Sequence, residues 1–271
     1  VTAAYPVRAD GRWSGRVTRR ALPEDPSLAA LPRATRAVLA RLWQCQAATE
    51  RRVATSFERV HAALRERDAA PGLIAVSARA VDDEFRHAAL CLEVASRYAG
   101  AAVAPLDDLT FSAPTHIDAP EVLRPALVVL GQCALNETFA AAYLDACLEG
   151  ATRPLARAAL TELLSDEVDH ARIGWAFAST LEEATRAALQ GWLLPLAIAN
   201  LRMWQQLSLP DDPEGALVAH GVPSPGRVRQ ALCEAVESLV IPGFARNGFE
   251  VNGLRAWLAR GAPTARAPSD A

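Results

Sequence analysis

Residues 82–88 read Asp-Asp-Glu-Phe-Arg-His-Ala, and residues 165–171 read Ser-Asp-Glu-Val-Asp-His-Ala. Each stretch contains Asp-Glu-x-x-His: Asp83, Glu84 and His87 in the first, Asp166, Glu167 and His170 in the second. On a helix, residues three apart project from one face about a turn apart, so each Glu and His would point the same way. The flanking sequence says which way that is. Around the first motif the 3.5-residue stripe runs Leu73, Ser77, Ala80, Glu84, His87, Cys91, Val94, Tyr98, and around the second Ala156, Leu160, Leu163, Glu167, His170, Gly174, Phe177, Leu181. A stripe of that period faces a core, and here the core face carries carboxylates.

Two further helical segments behave alike. Periodicity extends over about 34–68, 72–99, 121–149 and 154–181. The first stripe is Leu39, Trp43, Gln46, Glu50, Val53, Phe57, Val60, Leu64, and the third is Leu123, Leu127, Leu130, Ala134, Glu137, Ala141, Leu144, Leu148. Every seam is thus interrupted by a glutamate. A buried, unpaired carboxylate costs several kcal/mol, and four together repel one another. No Lys or Arg lies on the stripes to neutralise them. Two divalent cations would, with His87 and His170 as neutral nitrogen ligands. The expected metal ligands are therefore Glu50, Glu84, His87, Glu137, Glu167 and His170. Glu58, followed by His61, is the alternative ligand on the first helix; it lies one step off the stripe, on a more polar face.

Pro71-Gly72 divides the first helix from the second, and Gly150 with Pro154 divides the third from the fourth, so each pair reads as an antiparallel hairpin. The segment 100–120, with Pro105, Pro114 and Pro120, is long enough to run from one end of a bundle to the other. The expected fold is all-α: a ferritin-like four-helix bundle with a long crossover between helices 2 and 3. An irregular arm is expected over 1–32, a single helical domain over 33–260 with covering helices after 182, and a disordered tail over 261–271. A fifth helix should run to about Leu207, and a shorter one should lie around Arg227 to Leu239.

Composition narrows the function. Apolar residues make up 51% of the chain, and 28 basic against 31 acidic residues leave a net charge of −3. That balance provides no field to recruit nucleic acid or an anionic membrane. Cys45, Cys91, Cys133, Cys147 and Cys233 share no CxxC spacing and fall mostly within helical patterns, as expected of reduced thiols in a cytoplasmic protein. The apolar run around Trp192–Leu201 contains Pro195 and is too short to span a bilayer.

The pattern over about 34–181 resembles the ferritin-like superfamily of di-iron carboxylate proteins, whose four helices carry Glu, Glu-x-x-His, Glu and Glu-x-x-His in turn. The resemblance implies two iron ions, with manganese as the substitute, dioxygen as co-substrate, and Asp83 and Asp166 as outer partners of His170 and His87. The form of residues 82–88 is similar to that of oxygen-activating members. Asp169 stands where the corresponding arginine would be, and Cys91 where ribonucleotide reductases place a tyrosine. The spacing is loosely similar to that of p-aminobenzoate N-oxygenases, although Leu163 occupies the position of their extra histidine.

An enzyme of this kind would hydroxylate, N-oxygenate or desaturate a small organic substrate. The alternatives are an iron-oxidising or iron-binding protein without organic substrate, and a structural bundle. No nucleotide, flavin or haem motif is evident, so a separate reductase is the expected electron donor; the chain is also compatible with a homodimer. Phe85, Phe139, Tyr143 and Trp175 are candidate pocket residues. Gly174 and Ala141 are positions where small side chains could leave room near the metals.

Overall fold

The computed structural model describes residues 21–106, 113–207, 209–210, 212 and 215–260. The expected tail over 261–271 and residues 1–20 of the expected arm lie outside them. Among the described residues every regular element is helical. The long elements are α1 (Arg33–Glu66), α2 (Pro71–Ala99), a continuous third helix spanning Glu121–Gly150, and α5 (Pro154–Thr180). The third helix is composite. A 3₁₀ turn (Glu121–Leu123) leads into α3 (Arg124–Val129), a π-helical stretch (Leu130–Asn136) and α4 (Glu137–Gly150).

Local chemistry sets the boundaries. Pro71 and Pro154 stand in the first turns of α2 and α5, where the missing N–H has no intrahelical partner to lose. Gly100 ends α2 at φ +72°, and its N–H bonds to the Ser96 carbonyl.

The apolar stripes assemble into two clusters. One contains Leu39, Trp43, Leu90, Val94, Tyr98, Leu144, Leu155 and Leu163. The other contains Phe57, Leu64, Ala80, Leu127, Leu130, Ile173 and Phe177. The chain therefore passes from the first cluster to the second along α1 and back along α2. The third helix again starts at the second cluster, so it runs parallel to α2, and α5 returns. Parallel neighbours need a connection as long as the bundle, and the segment after α2 supplies it. Gln44 and Arg59 of α1 donate to the carbonyls of Ala104 and Ala113, which place the described parts of this connection along α1, and Arg67, just past α1, donates to the carbonyl of Val122 where the third helix begins.

Outside these four lie α6 (Glu183–Gln205), α7 (Pro225–Ala235), a second π-helical stretch (Val236–Val240), α8 (Ile241–Arg246) and α9 (Asn252–Ala259). The helix expected around 227–239 is longer, because the π turn carries it on to Arg246, and α9 was not anticipated. The third helix is covered by α6 through Leu193, Leu196, Ala197 and Leu201, which explains why its middle is buried on nearly every side. It is the helix long and apolar enough to cross a membrane among the described residues, and 72% of that apolar window is buried inside the protein.

Gly174 leaves no room near the site. A Cβ built there would lie 2.1 Å from the Ala134 nitrogen, so the glycine lets α5 touch the backbone of the π stretch. Gly174→Ala is therefore expected to destabilise the fold by about 1–3 kcal/mol or more in urea unfolding, because backbone cannot yield as a side chain can. Gly191→Ala, at a helical glycine with nothing within 4 Å, should be neutral or stabilising. Equal effects of the two would show that the close approach carries no stability.

Candidate metal centre

The level at which the two apolar clusters meet is polar. Glu50, Glu84, His87, Glu137, Glu167 and His170 are all at most 3% exposed, and they converge there from the four long helices. Their atoms form two overlapping groups: Glu50, Glu84, His87 and Glu167, and Glu84, Glu137, Glu167 and His170. Within each group the candidate ligand atoms lie within 4.8 Å of one another. Glu84 and Glu167 belong to both, as carboxylates shared between two cations would, while Glu50 and Glu137 each belong to one. Glu58, the alternative ligand, is exposed and outside both groups.

Each imidazole presents Nδ1 inward. His170 Nδ1 is 3.0 Å from both Glu84 Oε1 and Glu167 Oε2, and His87 Nδ1 is 3.5 Å from Glu84 Oε2 and Glu167 Oε1. The Nε2 atoms point outward and cross over: His87 Nε2 lies 3.1 Å from Asp166 Oδ2, and His170 Nε2 lies 3.6 Å from Asp83 Oδ2. The aspartate of each motif thus faces the histidine of the other, and a carboxylate at Nε2 leaves Nδ1 as the lone-pair nitrogen turned toward a cation. Arg79 donates to Asp83 at 3.0 Å. Arg86 reaches Asp83 and Glu162 and pairs closely with Asp166. A carboxylate and guanidinium layer therefore backs the histidine side.

The terminal glutamates are held by amides. Gln46 Nε2 donates to Glu50 Oε1 at 2.6 Å, and Gln132 Nε2 donates to Glu137 Oε1. Asn136 adds a longer contact to Glu137 at 3.4 Å, while its Oδ1 accepts from Trp204 Nε1 of α6 at 2.9 Å. These amides, with Arg79, go beyond the sequence reading. Gln46 stood in the α1 stripe, and a polar amide one turn before Glu50 was a visible signal. Gln132 was not: five residues before Glu137, it faces the same way only because that turn is π-helical.

Burial first, then Glu84 and Glu167, pushes the Glu50 carboxyl well above its ordinary range; burial, then Glu167 and Glu84, does the same to Glu137. For His87, burial opposes the charged ring, but Asp166, Glu167 and Glu84 hold its pKa well above the usual value. His170 is raised likewise against burial, by Asp83, Glu167 and Glu84. Burial would raise Asp166, yet His87 and Arg86 hold it down at about 2. Without metal, protons take up part of the charge balance. No hydrogen bond of good geometry reaches either oxygen of Glu84 or Nδ1 of His87, all of them buried. Such atoms are costly unless a cation completes them, so the donor set fits two metal ions.

A cavity of about 710 Å³ adjoins the opposite side. Glu50, Glu137 and Glu167 line it, with residues of the third helix, the connection and α6, including Tyr143, Trp192, Leu196 and Trp204. Of the other pocket candidates, Phe85 is 51% exposed on the surface, Phe139 is fully buried in the core, and Trp175 packs against Phe244. The chain matches no protein-family model, and no curated protein matches it.

The proton balance has a sign. Groups whose folded pKa is raised (Glu50, Glu137, His87, His170) keep more protons folded than unfolded, so their contribution to stability is lost as pH rises through the folded values. The Asp166 contribution runs the other way and disappears only as pH falls from about 4 toward 2. Metal-free protein should therefore be less stable at a pH above the ordinary imidazole range than at one below it, and added Mn(II) should raise Tm more at the higher pH and release protons on binding. Calorimetry with and without chelator checks this; stabilisation by metal that is the same at both pH values would refute it. Asp166→Asn should weaken metal binding by about 10–100-fold.

Proposed function

We propose that the chain is a ferritin-like non-haem di-iron enzyme that uses dioxygen to oxidise a small organic molecule. The observation that carries this reading is the juxtaposition of two overlapping ligand groups, sharing Glu84 and Glu167, with a drug-sized and mostly apolar cavity against the carboxylate side. The single long crossover and the run of ligands Glu, Glu-x-x-His, Glu, Glu-x-x-His support the ferritin-like assignment. Hard oxygen donors with only two imidazoles favour iron or manganese over copper or zinc.

Glu50, Glu84, His87 and Glu167 would hold one ion and Glu84, Glu137, Glu167 and His170 the other, with each imidazole turning Nδ1 toward them. Bound iron supplies the redox equivalents by which dioxygen is activated. The protein's own groups do the rest. Asp166 would accept from the outer nitrogen of His87, Asp83 faces the outer nitrogen of His170 at a longer distance, and Arg79 and Arg86 hold the two aspartates in place. The amides of Gln46 and Gln132 steer one oxygen of each terminal glutamate away from the centre, leaving the other free to bind. Trp204, Tyr143 and Leu196 give the cavity apolar walls on the side of Glu50 and Glu137. A separate reductase would renew the electrons, and five free cysteines suit a reducing compartment such as the cytoplasm.

Purified protein loaded with Fe(II) without air should bind about two irons per chain and consume dioxygen. Glu84→Ala and Glu167→Ala should each abolish both, since each removes a ligand from both positions. Uptake of many irons per chain would instead indicate storage, and undiminished binding in both variants would refute the site.

A further inference from the structure

The cavity extends from Glu50 to Arg59 along one face of α1, nine residues apart, or about 13 Å at the α-helical rise. Its inner end, at the carboxylate cluster, also carries Tyr143 and Trp204, whose rings lie 5.6 Å apart. Its outer end carries Arg59 and His116. Arg59 is half-buried, and its Nη1 donates to the Ala113 carbonyl at 2.9 Å, which fixes the guanidinium at the cavity wall without neutralising it. No carboxylate lies within ion-pairing distance of Arg59 among the described residues. Burial lowers the pKa of His116, so it stands there as a neutral ring at φ +51°, a backbone conformation that few non-glycine residues adopt. Among the described residues lining the cavity, the acidic ones are Glu50, Glu137 and Glu167, all at the inner end.

We propose that the cavity binds an amphipathic organic acid, its carboxylate on Arg59 and its apolar body directed inward so that the far end lies beside Glu50 and Glu137. A guanidinium held on one edge offers its other N–H groups as a fork for a carboxylate, which a neutral head group cannot engage in the same way. The apolar walls and the length from Arg59 to Glu50 suit a body of about ten ångströms, a medium alkyl chain or a ring on a short linker. This rests on the reading of the cavity as the substrate site of the proposed enzyme.

The test uses decanoate and 4-phenylbutyrate against their primary amides, with Mn(II)-loaded full-length protein. Binding is followed by quenching of tryptophan fluorescence, since Trp192 and Trp204 line the cavity. The acids should bind saturably and about tenfold or more tighter than the amides. Arg59→Gln should remove that preference while leaving amide binding in place. Ala199→Phe, at an exposed lining position of α6, should block acid and amide alike by filling the space. Circular dichroism and Tm establish that both variants fold. Equal binding of acid and amide, an unchanged preference in Arg59→Gln, or no binding of either probe would overturn the proposal. Metal content measured on the same samples separates the two claims. Two metals per chain without acid preference leaves the metal centre standing and removes the organic acid, whereas acid preference without metal does the reverse.

Discussion

Four carboxylates buried at one level, where two apolar clusters meet, are the constraint around which the rest of the protein is arranged. A helix bundle gains most when its seams are apolar throughout, so every interruption of a seam is a cost that has to be offset. Here the interruptions coincide in space. That coincidence turns four separate penalties into one concentrated negative site, with two imidazoles among the oxygens and several polar atoms left without partners. Only a compact positive charge, from protons or from metal ions, makes such a level compatible with the apolar halves above and below it.

The two sides of the site differ in kind. Behind the histidines, Asp83, Asp166, Arg79 and Arg86 form a closed ionic layer that fixes ring orientation and leaves little freedom. In front, Glu50 and Glu137 meet amide donors and open space. Rigid on one side and adaptable on the other, the arrangement directs any approaching molecule to the carboxylate face. The Asn136 side chain ties that face to α6, because it touches Glu137 through one end and Trp204 through the other.

Much of this was legible in the sequence, for a physical reason: a glutamate in an apolar seam is an anomaly that periodicity exposes. The helix limits, the parallel placement of the third helix implied by a long connection, and the convergence of six residues all follow from stripes and prolines. Choosing Glu50 over Glu58 was also a matter of stripe position, and burial agrees with it. What stayed hidden depended on departures from regular geometry or on neighbours distant in the chain. The π stretch realigns Gln132 with Glu137, and no residue type announces such a turn. Gly174 could be read as empty space or as contact, and only the position of the Ala134 backbone decides for contact. Phe85 has the character of a pocket residue but sits on the outer face of α2. The cavity itself belongs to no single motif, since residues of four helices and a nonhelical connection line it.

The division of the ligands between the two hairpins has its own consequence. The first hairpin, α1 with α2, brings Glu50, Glu84 and His87; the second, formed by the third helix and α5, brings Glu137, Glu167 and His170. Each group of four takes three members from one hairpin and borrows its fourth from the other, Glu167 in one case and Glu84 in the other. The two cations would then act as a reciprocal clasp, each anchored mainly in one half and gripping the other by a single carboxylate. Docking of the hairpins and completion of the centre become one cooperative event, so an isolated hairpin is left with an unfinished, repelling half-site.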